Sequence, residues 1–362
     1  MNMRRFAFTT SIIILIASAC FHTPDKPVDR LLYEQQWQSR VQSILEAGNI
    51  PIIDLESTLP EADISTYFPD FLDTMDELNI ALIAFDGEQV PRTSPSQTGY
   101  RWSTYIDDLV EDYPSRFLFT TNGGTNNNWT QQKSSYIDQL SSKIRRKPYV
   151  MLGEVEFRHY MSTAQCLAGR TDRDEYVPMN SVNGRRLFDL ASDTGVPLSI
   201  HFEMEDDLLS ELEEMLSEYP NARVIVAHLG QVRHPEKQTR YSAQLITDLL
   251  DKYSNLYFDI STGGPNRTYP CNNDILDTVI WQDDGTGGQR DTLKPEYLNL
   301  LENYSDRFVA ATDYGSNRSS IHNHYAGRIE NIELVLRDLS DDAKHNISYK
   351  NAWKLITGKE WE

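Results

Sequence analysis

Short apolar runs alternate with amphipathic stretches along most of the sequence. Each run has the length of a β-strand, and the stretches between them repeat apolar residues at helical spacing. The eight runs are Ile50–Leu55, Ile80–Phe85, Phe117–Thr120, Tyr149–Val155, Pro197–Ile200, Val224–Ala227, Leu256–Ile260 and Phe308–Thr312. This pattern predicts an α/β fold of the (β/α)8 TIM-barrel class. A doubly wound open sheet shows the same alternation, but the count of eight and the lack of a Gly-rich phosphate loop after the first strand favour the barrel.

Two of the apolar runs stop at a histidine. His201 follows the fifth run and His228 follows the sixth, with the acidic helical stretch Asp207–Glu218 between them. Parallel strands are buried on both faces, so a polar residue at a carboxyl end lies where barrels place their active sites. A single histidine there is more often a satisfied polar residue, but two in consecutive units indicate a functional site.

Carboxylates follow other runs in the same way. Asp54 and Glu56 come from the first strand, Glu154 from the fourth, and Asp313 follows the eighth. In a barrel these carboxyl ends meet the two histidines at one rim. Carboxylates and imidazoles together are typical ligands of a divalent metal ion such as zinc or manganese, although each acid alone is more often a solvated strand end or a helix cap.

Composition restricts the partners of the chain. The 362 residues include 54 acidic and 34 basic side chains, which gives a formal net charge of −20. Nucleic-acid binding requires a basic surface, so this excess of acid argues against it, but it says nothing specific about the substrate. No linker divides the sequence, and we expect one barrel over residues 49–362, preceded by a tether and an N-terminal helix at 21–48.

Residues 1–20 resemble a bacterial lipoprotein signal peptide. Arg4 and Arg5 precede the apolar segment Ile12–Ile16, and small residues precede Cys20. An uncleaved membrane anchor is the weaker alternative, because the apolar run is shorter than the roughly 20 residues that span a bilayer. We therefore expect an exported protein with Cys20 lipidated, facing the periplasm or cell exterior and contacting the membrane only through this anchor.

Several segments resemble the amidohydrolase superfamily, particularly its amidohydrolase-related branch and the TatD-like deoxyribonuclease hydrolases. The segments are PLSIH, YPNARVIVAHLG, LYFDIS, RFVAATDYG and NAWKL, together with GE on the fourth strand. The resemblance implies that His201, His228 and Asp313 bind metal or transfer a proton. It also implies that Glu154 corresponds to the metal-bridging carboxylate of TatD-like members.

The first strand departs from the superfamily pattern. Asp-x-His-x-His is usual there, whereas this chain has Asp54, Glu56 and Thr58. A carboxylate can replace an imidazole as a ligand, but threonine is a poor one, so two metal ions are not expected. We expect one divalent ion, zinc or alternatively manganese, bound by Glu154, His201, His228 and Asp313, with Glu56 as a further ligand. A metal-free hydrolase like the superfamily's lactonases and a binding protein without catalysis remain alternatives.

The resemblance implies hydrolysis of a small-molecule ester, lactone or amide. Asp313 acts as the general base, and His228 or the metal ion stabilises the oxyanion. Arg158 and His159, expected just after the fourth strand, are predicted to hold an anionic group of the substrate. A glycosidase that uses Glu56 and Glu154 as its carboxylate pair is a weaker alternative.

Cys166 and Cys271 lie in two long segments, Phe157–Ser181 and Thr262–Thr292, which are predicted to be loops above the rim. Export would place both cysteines in an oxidising compartment, so we predict a disulfide that ties the two loops together as a lid. Two buried, unpaired thiols are the alternative.

Overall fold

The computed structural model describes residues 30–58, 70–86, 89–91, 100–102, 105–121, 127–130, 136–272, 275–315 and 321–362. The predicted signal peptide, its lipidation site Cys20 and most of the tether lie outside these residues, so export and lipid anchoring stay predictions. Within the described ranges, no helix combines the length and the apolar character needed to cross a membrane.

Eight parallel strands alternate with helices, which confirms the predicted α/β fold. The strands are β1 (Ile52–Thr58), β2 (Ile80–Asp86), β3 (Phe117–Leu118), β4 (Leu152–His159), β5 (Leu198–Phe202), β6 (Val224–Val226), β7 (Leu256–Asp259) and β8 (Phe308–Val309). One sheet contains β1, β2 and β3, and a second contains β4 to β8 in chain order. Consecutive strands are therefore neighbours in space, as short parallel crossovers require.

The two sheets contact each other at both edges through isolated backbone bridges. Thr120, after β3, is bridged to Met151, before β4, and Ser57 in β1 is bridged to Tyr314, after β8. The Leu55 amide also donates to the carbonyl of Ala310 at 3.3 Å. The described strands thus form two sheets joined by single bridges rather than one continuous closed sheet.

Helices follow most of the strands. They are α1 (Arg30–Glu46), α2 (Tyr105–Asp112), α3 (Tyr136–Ile144), α4 (Thr163–Leu167), α5 (Val182–Thr194), α6 (Leu209–Glu218), α7 (Ala243–Lys252), α8 (Pro295–Asn303), α9 (Ile321–Leu336), α10 (Asp341–His345) and α11 (Asn351–Thr357), and residues 70–77 are also helical. The two ends of α5 illustrate how the sequence specifies the boundaries of a helix. The Ser181 hydroxyl accepts from the Gly184 amide at the start, and Gly195 ends the helix in the left-handed conformation at φ 67°.

Buried apolar side chains form two groups. The larger group lies between the strands and the surrounding helices. The smaller one, called the inner core here, contains Ile53, Leu82 and Leu118 from the first sheet and Ile225 and Val309 from the second. Its other members include Trp37 of α1 and Trp353 of α11. Apolar faces of the two sheets therefore pack against each other.

The fourth strand differs from its prediction. It was predicted to end at Val155, but β4 continues to His159, so Arg158 and His159 lie in a strand rather than in a loop. Both residues pair with the short antiparallel strand Glu175–Tyr176. The partner lies some sixteen positions along the chain, and local periodicity does not reveal such a pairing.

The segment predicted as the second long loop contains two hairpins. Thr268–Tyr269 pairs with Ile275–Leu276, and Trp281–Asp283 pairs with Gln289–Leu293. A third short hairpin joins Gln89–Pro91 to Tyr100–Trp102. The remaining elements are the 3₁₀ turns Asn127–Thr130, Thr171–Arg173, Pro270–Asn272 and Ser305–Arg307, and the π-helical turn Asn346–Lys350.

Candidate metal centre

Five of the side chains singled out in the sequence lie together at the carboxyl ends of the strands. Potential ligand atoms of Glu154, His201 and His228 lie within 4.8 Å of one another, and so do those of Glu56, His228 and Asp313. His228 is common to both groups. Because β1, β4, β5, β6 and β8 supply one residue each, the cluster depends on the whole sheet arrangement and on no single local motif.

Three ligand atoms form the tightest part of this cluster. Glu154 Oε1 is 2.8 Å from His201 Nδ1 and 3.2 Å from His228 Nε2, and the two nitrogens are 3.0 Å apart. Ligands at zinc–nitrogen distances of about 2.0–2.1 Å in a tetrahedron stand about 3.3 Å from one another. The three atoms therefore already have nearly the mutual separations that a small divalent ion requires.

The outer nitrogens of both imidazoles face hydrogen-bond acceptors. His201 Nε2 lies 3.4 Å from Glu203 Oε1, and His228 Nδ1 lies 2.8 Å from Ser261 Oγ. The Ser261 hydroxyl donates its single hydrogen to Asp259 Oδ1 at 2.5 Å, so its oxygen is left to accept a hydrogen bond from His228 Nδ1. When these imidazoles are neutral and donate to these acceptors, His201 Nδ1 and His228 Nε2 each direct a lone pair at Glu154, an arrangement that a metal ion satisfies.

Glu56 contributes a further oxygen. Its Oε1 atom is buried, has no hydrogen-bond partner among the described residues, and lies 3.6 Å from His228 Nε2. Burial, followed by the nearby carboxylates of Glu154, Asp259 and Asp313, raises the pKa of Glu56 well above its ordinary value. This crowding of carboxylates calls for positive charge at the centre, so Glu56 fits the role of an additional ligand.

The charges of Glu154 and His201 are strongly coupled. Burial alone would raise the pKa of Glu154, but His201 and His228 hold it well below its ordinary value. Burial alone would lower the pKa of His201, but Glu154 reverses this and raises it to about 10. The site therefore stabilises a positive charge between these groups, whether a proton or a metal ion carries it.

Asp313 is the most accessible carboxylate of the cluster. Its side chain is 39% exposed, and Oδ2 lies 3.8 Å from Nη1 of Arg328 in α9. The backbone of Asp313 has φ 45° and that of His228 has φ 64°, both in the left-handed region that non-glycine residues rarely occupy. Such strained positions concentrate at functional sites, where the surrounding structure holds them.

A small cavity adjoins Asp313, Glu56 and Glu154. It measures about 30 Å³, which is enough for one water molecule, and its other walls include Ala84 and Met151. A water here would lie beside the accessible carboxylate of Asp313 and the candidate ligands.

Asp54 has a structural role instead of joining the cluster. It is fully buried, and its carboxylate accepts hydrogen bonds from Ser57, from Tyr325 and from both the amide and the hydroxyl of Thr312. These bonds fasten β1 to the segment after β8 and to α9. They keep Glu56 and Asp313 in register with each other.

Arg158 is engaged by the protein. Its guanidinium pairs with Glu205 and, at 2.6 Å, with Asp174, and it stacks on the ring of Tyr160 at 3.6 Å. Since these partners already engage the guanidinium beside β4, the structure argues against the predicted contact of Arg158 with a substrate anion.

His159 lies next to the cluster. Its ring centroid is 4.6 Å from that of His201, and its Nδ1 atom bonds the carbonyl oxygen of Arg173 at 2.8 Å. Burial, with the nearby charges of His201 and the arginines, lowers the pKa of His159 well below its ordinary value. A buried, neutral ring in this position supports His201 and offers no charge to an anion.

Sequence reasoning missed Glu203, Asp259 and Ser261. Glu203 follows β5 and holds Arg233 Nη1 at 2.7 Å, while Asp259 accepts from the His228 amide at 3.0 Å. All three stand at or just after the carboxyl end of a strand, which is the same signal that pointed to His201 and His228. They position the histidines and so complete the site.

The chain can now be compared with known proteins. A family model described as amidohydrolase matches residues 161–356, which is more than half of the sequence. The chain belongs to the amidohydrolase family. The matched region of this amidohydrolase contains His201, His228 and Asp313, whereas Glu56 and Glu154 precede it. No curated protein sequence matches the chain significantly.

Solved structures with a similar fold come from several enzymes. Dihydroorotase from Campylobacter jejuni is 12% identical, with a TM-score of 0.46, and the match covers 86% of this chain and 85% of that one. Dihydroxybenzoic acid decarboxylase from Polaromonas sp. JS666, with bound manganese and an inhibitor, is 13% identical, with a TM-score of 0.46 and coverage of 85% and 97%. For 4-oxalomesaconate hydratase from Rhodopseudomonas palustris the values are 11%, 0.46, 90% and 91%. These identities are too low to transfer a reaction to this amidohydrolase.

The structure contains a disulfide between Cys166, in α4, and Cys271, in the 3₁₀ turn Pro270–Asn272. The side-chain amide of Asn272 donates to the carbonyl of Arg233 at 2.5 Å, and Arg233 in turn bonds Glu203 beside His201. The bond therefore joins the segments after β4 and β7 close to groups that support the centre.

Replacing both cysteines by serine is expected to lower the free energy of unfolding. The bond closes a loop of 105 positions, and the chain-entropy model gives a stabilisation of about 5 kcal/mol for this length. Urea denaturation of the wild type and the double variant measures the difference. Wild-type protein treated with a reducing agent is the control, and equal midpoints for all three samples would show that the bond does not stabilise the fold.

Proposed function

We propose that this amidohydrolase holds one divalent metal ion and hydrolyses an ester, lactone or amide bond in a small molecule. The proposal depends chiefly on one observation, the convergence of Glu154 Oε1, His201 Nδ1 and His228 Nε2 within 3.2 Å of one another. Nitrogen and carboxylate ligands of this kind suit zinc first and manganese second. Glu56 and Asp313 complete the proposed ligand set.

We also propose that the eight strands close into a barrel. Support comes from the bridges Thr120–Met151 and Ser57–Tyr314, which lie where the two sheets would be joined. The inner core, to which both sheets contribute, is what the interior of such a barrel contains. Closure would place all eight carboxyl ends around the candidate metal centre.

The proposed reaction uses Asp313 as the general base. Its exposed carboxylate would take a proton from the attacking water and pass it to the leaving alcohol or amine. A bound divalent ion supplies polarisation of the substrate carbonyl and a lowered pKa of water. Arg328, 3.8 Å from Asp313, would help to orient this carboxylate.

His228 is proposed to act as a ligand. The contact with Ser261 favours the neutral tautomer that donates from Nδ1, in which Nε2 has a lone pair to offer. An oxyanion needs a hydrogen-bond donor, so the alternative role of His228 in stabilising it is disfavoured. Glu203 and Ser261 orient the two ligand histidines.

A screen of esters, lactones and amides tests the proposed function. We expect turnover of at least one class, its loss after chelation and dialysis, and its recovery when zinc or manganese is returned. Full turnover after verified metal removal would favour the metal-free hydrolase. A compound that binds without any turnover in the metal-loaded protein would favour the binding protein.

A further inference from the structure

Two guanidinium groups lie near Asp313 with hydrogen-bonding capacity to spare. Arg267 follows β7 and Arg328 belongs to α9, and each side chain is 23% exposed. Arg267 Nε is 3.3 Å from Asp277 Oδ2, and Arg328 Nη1 is 3.8 Å from Asp313 Oδ2. Across the described part of the chain, neither guanidinium makes a hydrogen bond, although a partly buried arginine normally makes several.

Two adjacent glycines, Gly263 and Gly264, lie against Arg267 and Asn331. A Cβ atom at Gly263 would stand 2.2 Å from Cδ and 2.9 Å from Nη1 of Arg267, so only glycine leaves room for this side chain. A Cβ atom at Gly264 would stand 2.7 Å from Oδ1 of Asn331. Arg328 lies one turn before Asn331, so the two residues lie on the same face of α9.

Thr278 adds a hydroxyl at the same place. Its Oγ1 atom would lie 3.0 Å from a Cβ at Gly263, and Arg267 Nη1 would lie 2.9 Å from the same Cβ. The two polar atoms therefore flank one point. Thr278 is fully buried, and this hydroxyl lacks a hydrogen-bond partner in the described residues. The Thr278 hydroxyl thus lies beside the Arg267 guanidinium, and Arg328 lies beside Asp313. All three side chains have hydrogen-bond donors that are unused in the described residues.

This region contains equal numbers of basic and acidic side chains, three arginines and the carboxylates of Glu203, Asp277 and Asp313. Asp277 is shared between Arg267 and Arg233, and Arg233 is also paired with Glu203. Burial lowers the pKa of Arg267, and the neighbouring charges of Arg233 and Arg328 lower it further against the opposing effect of Asp277. Like charges packed together in this way are relieved when an anion binds between them.

We propose that Arg267, Arg328 and Thr278 form a binding site for an oxyanion group of the substrate, next to Asp313. That the bound anion is a substrate rests on the proposed function. The inference adds that this substrate carries a carboxylate or a phosphate group. Planar guanidinium groups match the oxygens of both anions, and Thr278 offers a third donor. The site would orient the substrate so that its scissile bond faces the metal centre.

Titration calorimetry with malonate and, separately, with inorganic phosphate tests this site on the full-length protein. We expect at least one probe to bind, with affinity about ten-fold or more weaker in Arg328→Met and in Arg267→Met. The tighter probe distinguishes a carboxylate site from a phosphate site. Arg337→Met is the matched control, because Arg337 directly follows the same helix and pairs with the surface residues Asp291 and Asp338. It is expected to leave both affinities unchanged.

Metal content is measured in the same samples, since both probes also bind metal ions. If neither probe binds, or if binding depends on metal and is equal in all three variants, the anion site is wrong. If binding requires the arginines in a protein that holds no metal and hydrolyses nothing, the anion site stands and the proposed function fails. If Arg267→Met does not fold, the test uses Arg328→Met alone. Among the described glycines, none is packed against Arg328, so this substitution is expected to disturb the fold less.

Discussion

Replacement of Asp313 by asparagine is expected to reduce kcat by about 10²- to 10⁴-fold, the usual contribution of a general base. The amide has the shape of the carboxylate but cannot accept the proton of the attacking water. The side chain is 39% exposed, so we expect little change in folding. The measurement is kcat and KM of Asp313→Asn for the best substrate found, with metal content determined in parallel.

Asp306→Asn is the matched control. It makes the same chemical change at a carboxylate that is 73% exposed and paired only weakly with Arg307, and it should leave kcat unchanged. If Asp313→Asn keeps wild-type turnover while Glu56→Gln or Glu154→Gln is inactive, the general-base assignment is wrong. The glycosidase alternative would then explain the data better.

Replacement of His228 by alanine is expected to weaken metal binding by more than about 100-fold, above the 10- to 100-fold range typical of outer-shell changes. His228 Nε2 belongs to both candidate ligand groups, so its loss damages the centre more than the loss of any other single side chain. Turnover should fall with metal occupancy. Competition with a chromogenic chelator measures the affinity.

Two further variants make this prediction sharper. Ser261→Ala removes the acceptor 2.8 Å from His228 Nδ1 and is expected to have a smaller effect, within about 10- to 100-fold. His345→Ala removes an imidazole that stacks on Tyr349 and should not alter metal affinity. Equal metal affinity in His228→Ala and His345→Ala would contradict the proposed ligand set.

The strand pattern was predictable because buried parallel strands leave a local signature in the sequence. The run Ile80–Phe85 is continuously apolar and Leu256–Ile260 is interrupted only by Asp259, and the structure has strands at both places. The histidines at the ends of two such runs stand out for the same reason. Their meeting with Glu154 follows from parallel strand order, which the alternation of strands and helices also specifies.

Contacts between distant loops could not be predicted in this way. Arg158 looked available for a substrate, but Asp174 and Glu205, which engage it, come from two different segments. The hairpins in the segment 262–292 are held by short pairings within a polar stretch that lacks clear periodicity. The sequence also does not reveal that the Asp54 carboxylate is fully engaged in structural hydrogen bonds, because the spacing between Asp54 and Glu56 is compatible with a metal ligand as well as with this structural role.

Glu56 shows how a departure from a familiar pattern can be informative. The first strand has a carboxylate where the superfamily usually has a histidine, and the structure places Oε1 of this residue, without a hydrogen bond, 3.6 Å from His228 Nε2. The change adds negative charge to a centre that already contains Glu154 and Asp313. Such a centre favours one firmly bound divalent ion over two histidine-rich metal positions.

Elemental analysis of the purified protein tests this central claim most directly. The account predicts one divalent ion per chain, zinc or manganese, retained through gel filtration. It also predicts that occupancy falls in Glu154→Gln, since this change removes a ligand charge while preserving shape. Two tightly held ions per chain would contradict the account, and so would metal-free protein that is fully active.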